Sequence, residues 1–241
     1  MSALSNNLKL NALNFNKLAL VPWVGRLKPL GVLLLALLAL TISTTCPSAY
    51  AQTGTKTTTI LIVGDSLSAE YGLKRGTGWV SLLEQRLSAG KSTAKVVNAS
   101  ISGDTTSGGR SRLAALLARH KPAVVVLELG GNDALRGLPL DMTEQNLSAM
   151  TQAAKKAGAK VLLVGMQVPP NYGSAYGASF SGLFPKIAKA EKVALVPFFL
   201  KGIADASDAT AQFQVDRIHP NAQAQPKMLA NVWPELEKLM P

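Results

Sequence analysis

Two short clusters in this 241-residue sequence carry side chains that could act together in nucleophilic chemistry. Gly64-Asp-Ser-Leu-Ser68 holds a serine, which is a weak nucleophile and needs a nearby base. Asp216-Arg-Ile-His219 places a carboxylate and an imidazole on one turn, so that the carboxylate can orient the ring while the other ring nitrogen accepts a proton. Either cluster alone is also typical of an ordinary turn or a surface histidine, and only the two together indicate a nucleophile with its base.

Two further clusters supply groups that could stabilise a negative charge. The segment Asn98-Ala-Ser-Ile-Ser-Gly-Asp-Thr-Thr106 contains Gly103, whose missing Cβ lets its backbone N–H approach a ligand closely. The segment Glu128-Leu-Gly-Gly-Asn-Asp133 contains Asn132, a side-chain amide donor. Donors aimed at a developing oxyanion are often the largest single contribution to acyl-transfer catalysis. These clusters therefore indicate a site that stabilises an oxyanion.

In their order along the chain, the four clusters resemble the motif blocks of the SGNH (GDSL) hydrolase family. The likeness runs from about residue 58 to residue 239 and is closest to the bacterial periplasmic thioesterase I/lysophospholipase/arylesterase group, to which Asn171-Tyr-Gly173 is also similar. The resemblance implies that Ser66 is the nucleophile, His219 its general base and Asp216 the partner of that base.

The same resemblance implies an oxyanion hole and a type of reaction. The hole would consist of the backbone N–H groups of Ser66 and Gly103 and the side chain of Asn132, with no metal and no organic cofactor. The reaction would be hydrolysis of carboxylic esters or acyl thioesters of small-molecule substrates through an acyl-enzyme on Ser66. A carbohydrate deacetylase of the same family is an alternative, and so is a non-catalytic binding protein, although a binder has no need of this triad.

Two charged residues depart from the family pattern beside the triad. Glu70 stands where the best-known thioesterase of the group has glycine, and Arg217 stands where glycine is usual between the triad Asp and His. Because their charges are opposite, we considered an ion pair across the rim of the site. The alternative is two independently solvated side chains. An exposed pair would contribute only about 0.2–1 kcal/mol, so it would order the rim rather than stabilise the fold.

The segments that must position these residues alternate between strand and helix patterns. Apolar, β-branched runs predict strands over residues 58–63, 95–98, 123–129, 160–165 and 194–197. Helical spacing predicts helices over residues 79–87, 110–119, 141–157, around 180–187, and 221–239. Asp141-Met-Thr-Glu144 has the pattern of a helix cap, and Pro226 and Pro234 predict that the last helix is broken into two pieces.

This alternation predicts a parallel sheet covered by helices on both faces. Together with the resemblance, it gives the expected fold: a three-layer α/β/α flavodoxin-like sandwich with a parallel five-stranded sheet. Ligands bind outside the carboxyl ends of the strands in such sheets, and each polar cluster follows the end of a predicted strand. We therefore expect the clusters to meet at one edge of the sheet.

The first 51 residues have the pattern of a cleaved secretory signal. Four basic residues and no acidic residue precede a short apolar run from Leu30 to Ile42, and Ala49-Tyr-Ala51 follows it. We expect residues 1–51 to be a signal peptide and residues 52–241 the hydrolase domain, exported to the periplasm or secreted by a bacterium. A membrane anchor is the alternative, but the apolar run is shorter than the roughly 20 residues of a spanning helix.

Composition bounds the remaining possibilities. The sole cysteine, Cys46, lies in the signal segment, so the mature chain would have no disulfide and no zinc–thiolate site. Without the signal, 21 basic residues face 14 acidic ones, a net charge of +7, but no aromatic-interleaved basic stretch predicts nucleic-acid binding. We expect a monomer with, at most, transient contact with lipid. His120 is expected to be structural.

Loops after the third and fourth strands carry apolar residues that could line an acyl groove. Local packing of these loops is an equally good interpretation of the sequence alone. The residues concerned are Leu135, Leu138, Leu140, Pro169, Pro170 and Tyr172.

Overall fold

The computed structural model describes residues 58–240. The expected signal segment and Cys46 lie outside this range, so the structure does not test them. Within it, an α/β domain is built on five parallel strands in the order β2-β1-β3-β4-β5. The strands are β1 Thr59–Gly64, β2 Lys95–Asn98, β3 Val124–Glu128, β4 Lys160–Val164 and β5 Ala194–Val196. The predicted parallel five-stranded sheet is confirmed.

The two central strands are buried along almost their whole length. Every residue of β3 is buried, as is β1 from Ile60 onward. β-Branched and leucine side chains dominate both strands, and such side chains pack well on a pleated surface covered on both faces. These strands therefore form the centre of the apolar core.

Six helices cover the sheet and form its two outer layers. They are α1 Trp79–Ala89, α2 Thr106–His120, α3 Gly131–Leu135, α4 Leu140–Lys156, α5 Ser174–Glu191 and α6 Gln225–Leu239, with short 3-10 turns at Pro170–Tyr172 and Ala209–Gln212. α1 packs against α6 on one face, and α2, α4 and α5 pack together on the other. None of the helices in residues 58–240 is long and apolar enough to cross a membrane.

Two predictions about helix ends are wrong. α4 begins at Leu140, so Asp141 lies inside its first turn and provides no side-chain cap. α6 is a single helix that begins at Gln225, later than predicted. Pro226 lies in its first turn, where a backbone N–H has no helical acceptor in any case. Pro234 lies inside the helix and does not divide it.

The strand order places the loops that follow β1 and β3 side by side. β2 pairs with one edge of β1 and β3 with the other, so the direction of strand addition reverses at β1. At the carboxyl ends, Gly64 is in register with Glu128. In open parallel sheets this reversal point is where ligands bind. The clusters after these two strands are therefore neighbours in space.

Candidate active site

The side chains of Ser66, His219 and Asp216 form one chain of hydrogen bonds. His219 Nε2 lies 2.9 Å from Ser66 Oγ, and His219 Nδ1 lies 2.7 Å from Asp216 Oδ2. With hydrogen on Nδ1, the ring donates to the carboxylate and leaves Nε2 to accept the serine hydroxyl proton. The arrangement can therefore remove a proton from Ser66.

Asp216 is held by the backbone of its own turn. Its Oδ1 accepts hydrogen bonds from the N–H groups of Ile218, at 2.9 Å, and His219, at 3.0 Å. Burial would raise the pKa of this carboxyl, but the two N–H groups and the His219 ring lower the pKa to about 2. Asp216 is therefore ionised at neutral pH and can stabilise a protonated His219 ring.

Asp65, directly before Ser66, connects the nucleophile turn to Asn132. Its Oδ1 accepts a hydrogen bond from the N–H of Leu67 at 3.0 Å, and its Oδ2 accepts one from Asn132 Nδ2 at 3.0 Å. Burial raises the pKa of Asp65 from 3.8 to about 6, although the N–H of Leu67, the charge of His219 and the Asn132 amide each lower it. Sequence reasoning missed this residue, although it lies inside the first cluster.

Glu128 is a second buried carboxyl beneath the same turn. It accepts a hydrogen bond from Ser68 Oγ at 2.7 Å and one from the N–H of Asp65 at 3.3 Å, while Trp79 Nε1 donates to Ser68 Oγ at 3.1 Å. Burial, and then the charge of Asp65, raise the pKa of Glu128 well above its usual range. In the sequence, Glu128 is unusual because it is an acidic residue at the end of an apolar strand, and this could have pointed to its contacts with the Ser66 turn.

Gly103 and Asn132 are the two other expected oxyanion donors. Gly103 has φ +77°, a left-handed conformation that glycine adopts without penalty, and its carbonyl accepts a hydrogen bond from Arg136 Nη2 at 2.8 Å. Asn132 lies in the first turn of α3. Within residues 58–240, the N–H groups of Ser66 and Gly103 have no protein acceptor. Both are therefore free to donate to a ligand.

Residues 62–225 match the GDSL-like Lipase/Acylhydrolase family. The chain is also 53% identical over 182 residues to Esterase TesA of Pseudomonas aeruginosa, which covers 76% of this chain and 89% of that protein.

The chain belongs to the GDSL-like lipase/acylhydrolase family. It is therefore an enzyme, a serine hydrolase of the ester and thioester type. A second relative is the thioesterase 1/protease 1/lysophospholipase L1 of Escherichia coli (strain K12), which is 46% identical over 168 residues, or 70% of this chain and 78% of that one.

A solved structure agrees with the fold of this GDSL hydrolase. It is the psychrotrophic esterase EstA from Pseudoalteromonas sp., inhibited by monoethylphosphonate, with 41% identity and a TM-score of 0.70. The match covers 75% of this chain and 97% of that one. The α/β fold described above is therefore shared with an esterase of known structure.

The hypothesis of an ion pair between Glu70 and Arg217 is wrong. The Glu70 carboxylate instead accepts hydrogen bonds from the N–H groups of Gly76, at 3.1 Å, and Gly78, at 2.7 Å, and from Ser81 Oγ at 2.9 Å. Burial would raise the pKa of Glu70, but these bonds and the charge of Arg75 lower it. The carboxylate is therefore bound within its own loop.

The backbone at these two positions explains why glycine is usual there. Glu70 has φ +59° and Arg217 has φ +57°, so both residues are in the left-handed conformation that side chains disfavour. Both departures therefore keep a backbone shape typical of glycine, and each adds an exposed or half-buried charged side chain to it.

Only two of the six residues considered for an acyl groove line a cavity. Pro169 and Pro170 line a cavity of about 280 Å³ together with Val168, Gly177 and neighbouring residues. Leu135, Leu138, Leu140 and Tyr172 do not line it. The Tyr172 hydroxyl instead donates to the Leu135 carbonyl at 3.3 Å and joins the two loops.

One surface region lies beside the triad, whereas His120 lies away from it. An open surface depression is lined by Tyr71, Gly72, Gln214, Val215 and Asp216, so it borders one member of the triad. His120 is the last residue of α2, about 20 Å along the helix from the first, Thr106, whose N–H donates to Asp133 in the Asn132 cluster. The structure thus places His120 away from the triad.

Proposed function

We propose that this protein hydrolyses carboxylic esters and acyl thioesters through an acyl-enzyme on Ser66. The observation that carries the proposal is the hydrogen-bond chain from Ser66 Oγ through His219 to Asp216, with distances of 2.9 and 2.7 Å. A side-chain chain of this kind activates serine toward a carbonyl carbon.

In the first half-reaction, His219 Nε2 takes the Ser66 proton as Oγ bonds to the substrate carbonyl carbon. The carbonyl oxygen becomes an oxyanion, to which the N–H groups of Ser66 and Gly103 and the Asn132 amide donate. His219 then protonates the leaving alcohol or thiol as its bond to the carbonyl carbon breaks. In the second half, His219 activates water, which releases the carboxylic acid and restores Ser66.

Asp216 acts in this mechanism through its charge and its position. Its low pKa keeps it ionised throughout, so it stabilises the imidazolium without taking a proton itself. Because the N–H groups of Ile218 and His219 fix its orientation, the imidazole is presented to Ser66 in one tautomer.

The proposed substrates are aryl esters, acyl-CoA-type thioesters and lysophospholipids. The similarity to an esterase and to a thioesterase/lysophospholipase supports the ester, thioester and lysophospholipid members of this range. A carbohydrate acetyl ester is the alternative substrate within the family. We further propose that the enzyme is a monomer that needs no metal or organic cofactor, does not bind nucleic acid and contacts lipid transiently.

We also propose that residues 1–51 are a signal peptide and residues 52–241 the exported hydrolase domain, in the periplasm or secreted. The basic region, the short apolar run and Ala49-Tyr-Ala51 support this proposal.

The nucleophile is tested by labelling with a fluorophosphonate probe and measuring the intact mass. The wild type should gain one adduct and Ser66→Ala none, because only a serine beside a base reacts readily. Ser107→Ala, which removes an exposed serine on α2, is the matched control and should still be labelled. An adduct on Ser66→Ala would refute the assignment.

Substrate class is tested with p-nitrophenyl esters from acetyl to palmitoyl, an acyl-CoA, a lysophospholipid and an acetylated sugar. Ester and thioester turnover without sugar deacetylation is the expected result. Turnover of the acetylated sugar alone would favour the deacetylase alternative.

A further inference from the structure

Two loops beside the triad form one continuous surface, which we call the rim: residues 70–78 and residues 213–219. Gln214 Nε2 donates to the carbonyl of Tyr71 at 2.8 Å and joins the loops. The Tyr71 ring lies 4.4 Å, between centroids, from the His219 ring. The rim therefore borders the catalytic serine–histidine pair directly.

The rim exposes large apolar side chains to solvent. Val215 is 101% exposed, Ile218 51% and Tyr71 49%. Among residues 58–240 only three other large apolar side chains are comparably exposed, Ile101, Met142 and Tyr172. Half of the set thus lies on two short loops at one place, and clustered apolar exposure marks an interaction surface.

The rim carries more basic than acidic side chains. Lys74, Arg75 and Arg217 are exposed. The two acidic side chains of these loops already have partners, since Glu70 accepts from the N–H groups of Gly76 and Gly78, and Asp216 pairs with His219. The rim therefore combines exposed apolar groups with three basic and two acidic side chains, a net charge of +1.

An anionic lipid surface matches both properties. Each Lys or Arg near such a surface contributes to attraction, while apolar side chains enter the boundary between headgroups and acyl chains. A soluble polyanion would engage the three basic residues, but it would leave Val215 and Ile218 in water. The combination thus favours a bilayer over a dissolved anion.

We propose that the rim docks this enzyme on the surface of an anionic lipid bilayer, with Val215 and Ile218 inserted and Lys74, Arg75 and Arg217 against lipid phosphates. Docking would hold Ser66 at a lipid surface. This last consequence, unlike the docking itself, rests on the proposed hydrolase function.

Docking is tested by co-sedimentation with vesicles, using protein that carries Ser66→Ala so that no lipid is hydrolysed. Binding to phosphatidylcholine vesicles containing a quarter phosphatidylglycerol should exceed binding to pure phosphatidylcholine and should fall as salt is added. Arg217→Gln should weaken binding about fivefold, and Val215→Ser together with Ile218→Ser about tenfold or more.

The matched controls are Lys156→Gln and Met142→Ser, which remove an exposed charge and an exposed apolar side chain on α4. They should bind vesicles like the parent. Equal binding to both vesicle types, or equal losses in control and rim variants, would overturn the proposal. Hydrolysis of p-nitrophenyl acetate by protein with Ser66 intact is measured separately, so failure of docking and failure of the hydrolase function are distinguishable.

Discussion

At the residue scale, Asn132 has a fixed side chain. One hydrogen of its amide is donated to Asp65 at 3.0 Å, which fixes the plane of the amide and leaves the other hydrogen for the oxyanion of the proposed mechanism. A donor fixed in advance costs no reorganisation as negative charge develops.

We therefore expect Asn132→Ala to lower kcat by roughly 10²–10³-fold with little change in KM, the usual result of deleting one oxyanion donor. Steady-state kinetics with p-nitrophenyl butyrate measure both constants. A variant that keeps its kcat and shows only a raised KM would mean that Asn132 binds the ground state instead.

Asp65 gives a prediction about stability and pH. Because burial raises the pKa of Asp65 in the folded protein from 3.8 to about 6, the native state binds a proton that the unfolded chain has released between those values. The contribution of Asp65 to stability is therefore complete below pH 3.8 and is lost as pH rises through about 6.

Asp65→Asn abolishes this titration. Urea denaturation gives the free energy of unfolding of variant and wild type at pH 4.5 and at pH 7.5. Relative to the wild type, the variant should be more stable at pH 7.5 than it is at pH 4.5. Asp141→Asn, in the first turn of α4, is the control. The same difference at both pH values would show that Asp65 does not titrate in this window.

At the element scale, Glu70 connects the loop after the nucleophile turn to the start of α1. Its carboxylate binds N–H groups at Gly76 and Gly78 and the hydroxyl of Ser81. Glu70→Ala should lower the free energy of unfolding by about 1 kcal/mol, because the donors return only partly to water. Glu84→Ala, an exposed glutamate on α1, should change it little.

A double-mutant cycle on unfolding separates Glu70 from Arg217. Since the two side chains are not paired, Glu70→Gln and Arg217→Gln should be additive to within about 0.5 kcal/mol. The coupling energy is measured by urea denaturation of the two single variants and the double variant. A larger value would show that the two side chains interact.

The strands and the course of the helices were predictable because buried runs such as Val124–Glu128 have a clear pattern. The starts of α4 and α6 were not predictable from the sequence. α4 begins one residue earlier than predicted, so Asp141 does not cap it, and α6 begins four residues later, so Pro226 falls in its first turn. The charges of Glu70 and Arg217 suggested attraction, but backbone conformation and nearby N–H donors decide where a side chain points. The support from Glu128 depends on strand register, which a single sequence does not reveal.

At the scale of the whole molecule, the proposed signal peptide predicts the mature terminus. Cleavage after Ala51 should give a protein that begins at Gln52, because small residues at Ala49 and Ala51 suit the export peptidase. Intact mass of protein from a periplasmic extract measures this. Ala51→Phe should block processing, whereas Gln52→Asn should not. A mature protein retaining residues before Ala51 would contradict the assignment.

The hydrogen bond between Ser66 and His219 joins residues 153 positions apart in the chain. Few contacts in a domain of this size close so long a loop, and ordering such a loop is among the slow, entropically costly steps of folding. We therefore expect Ser66 to meet His219 only after most of the sheet has assembled. On the proposed mechanism, we expect partly folded chains to lack hydrolytic activity, so that recovery of activity during refolding reports the completion of folding rather than its beginning.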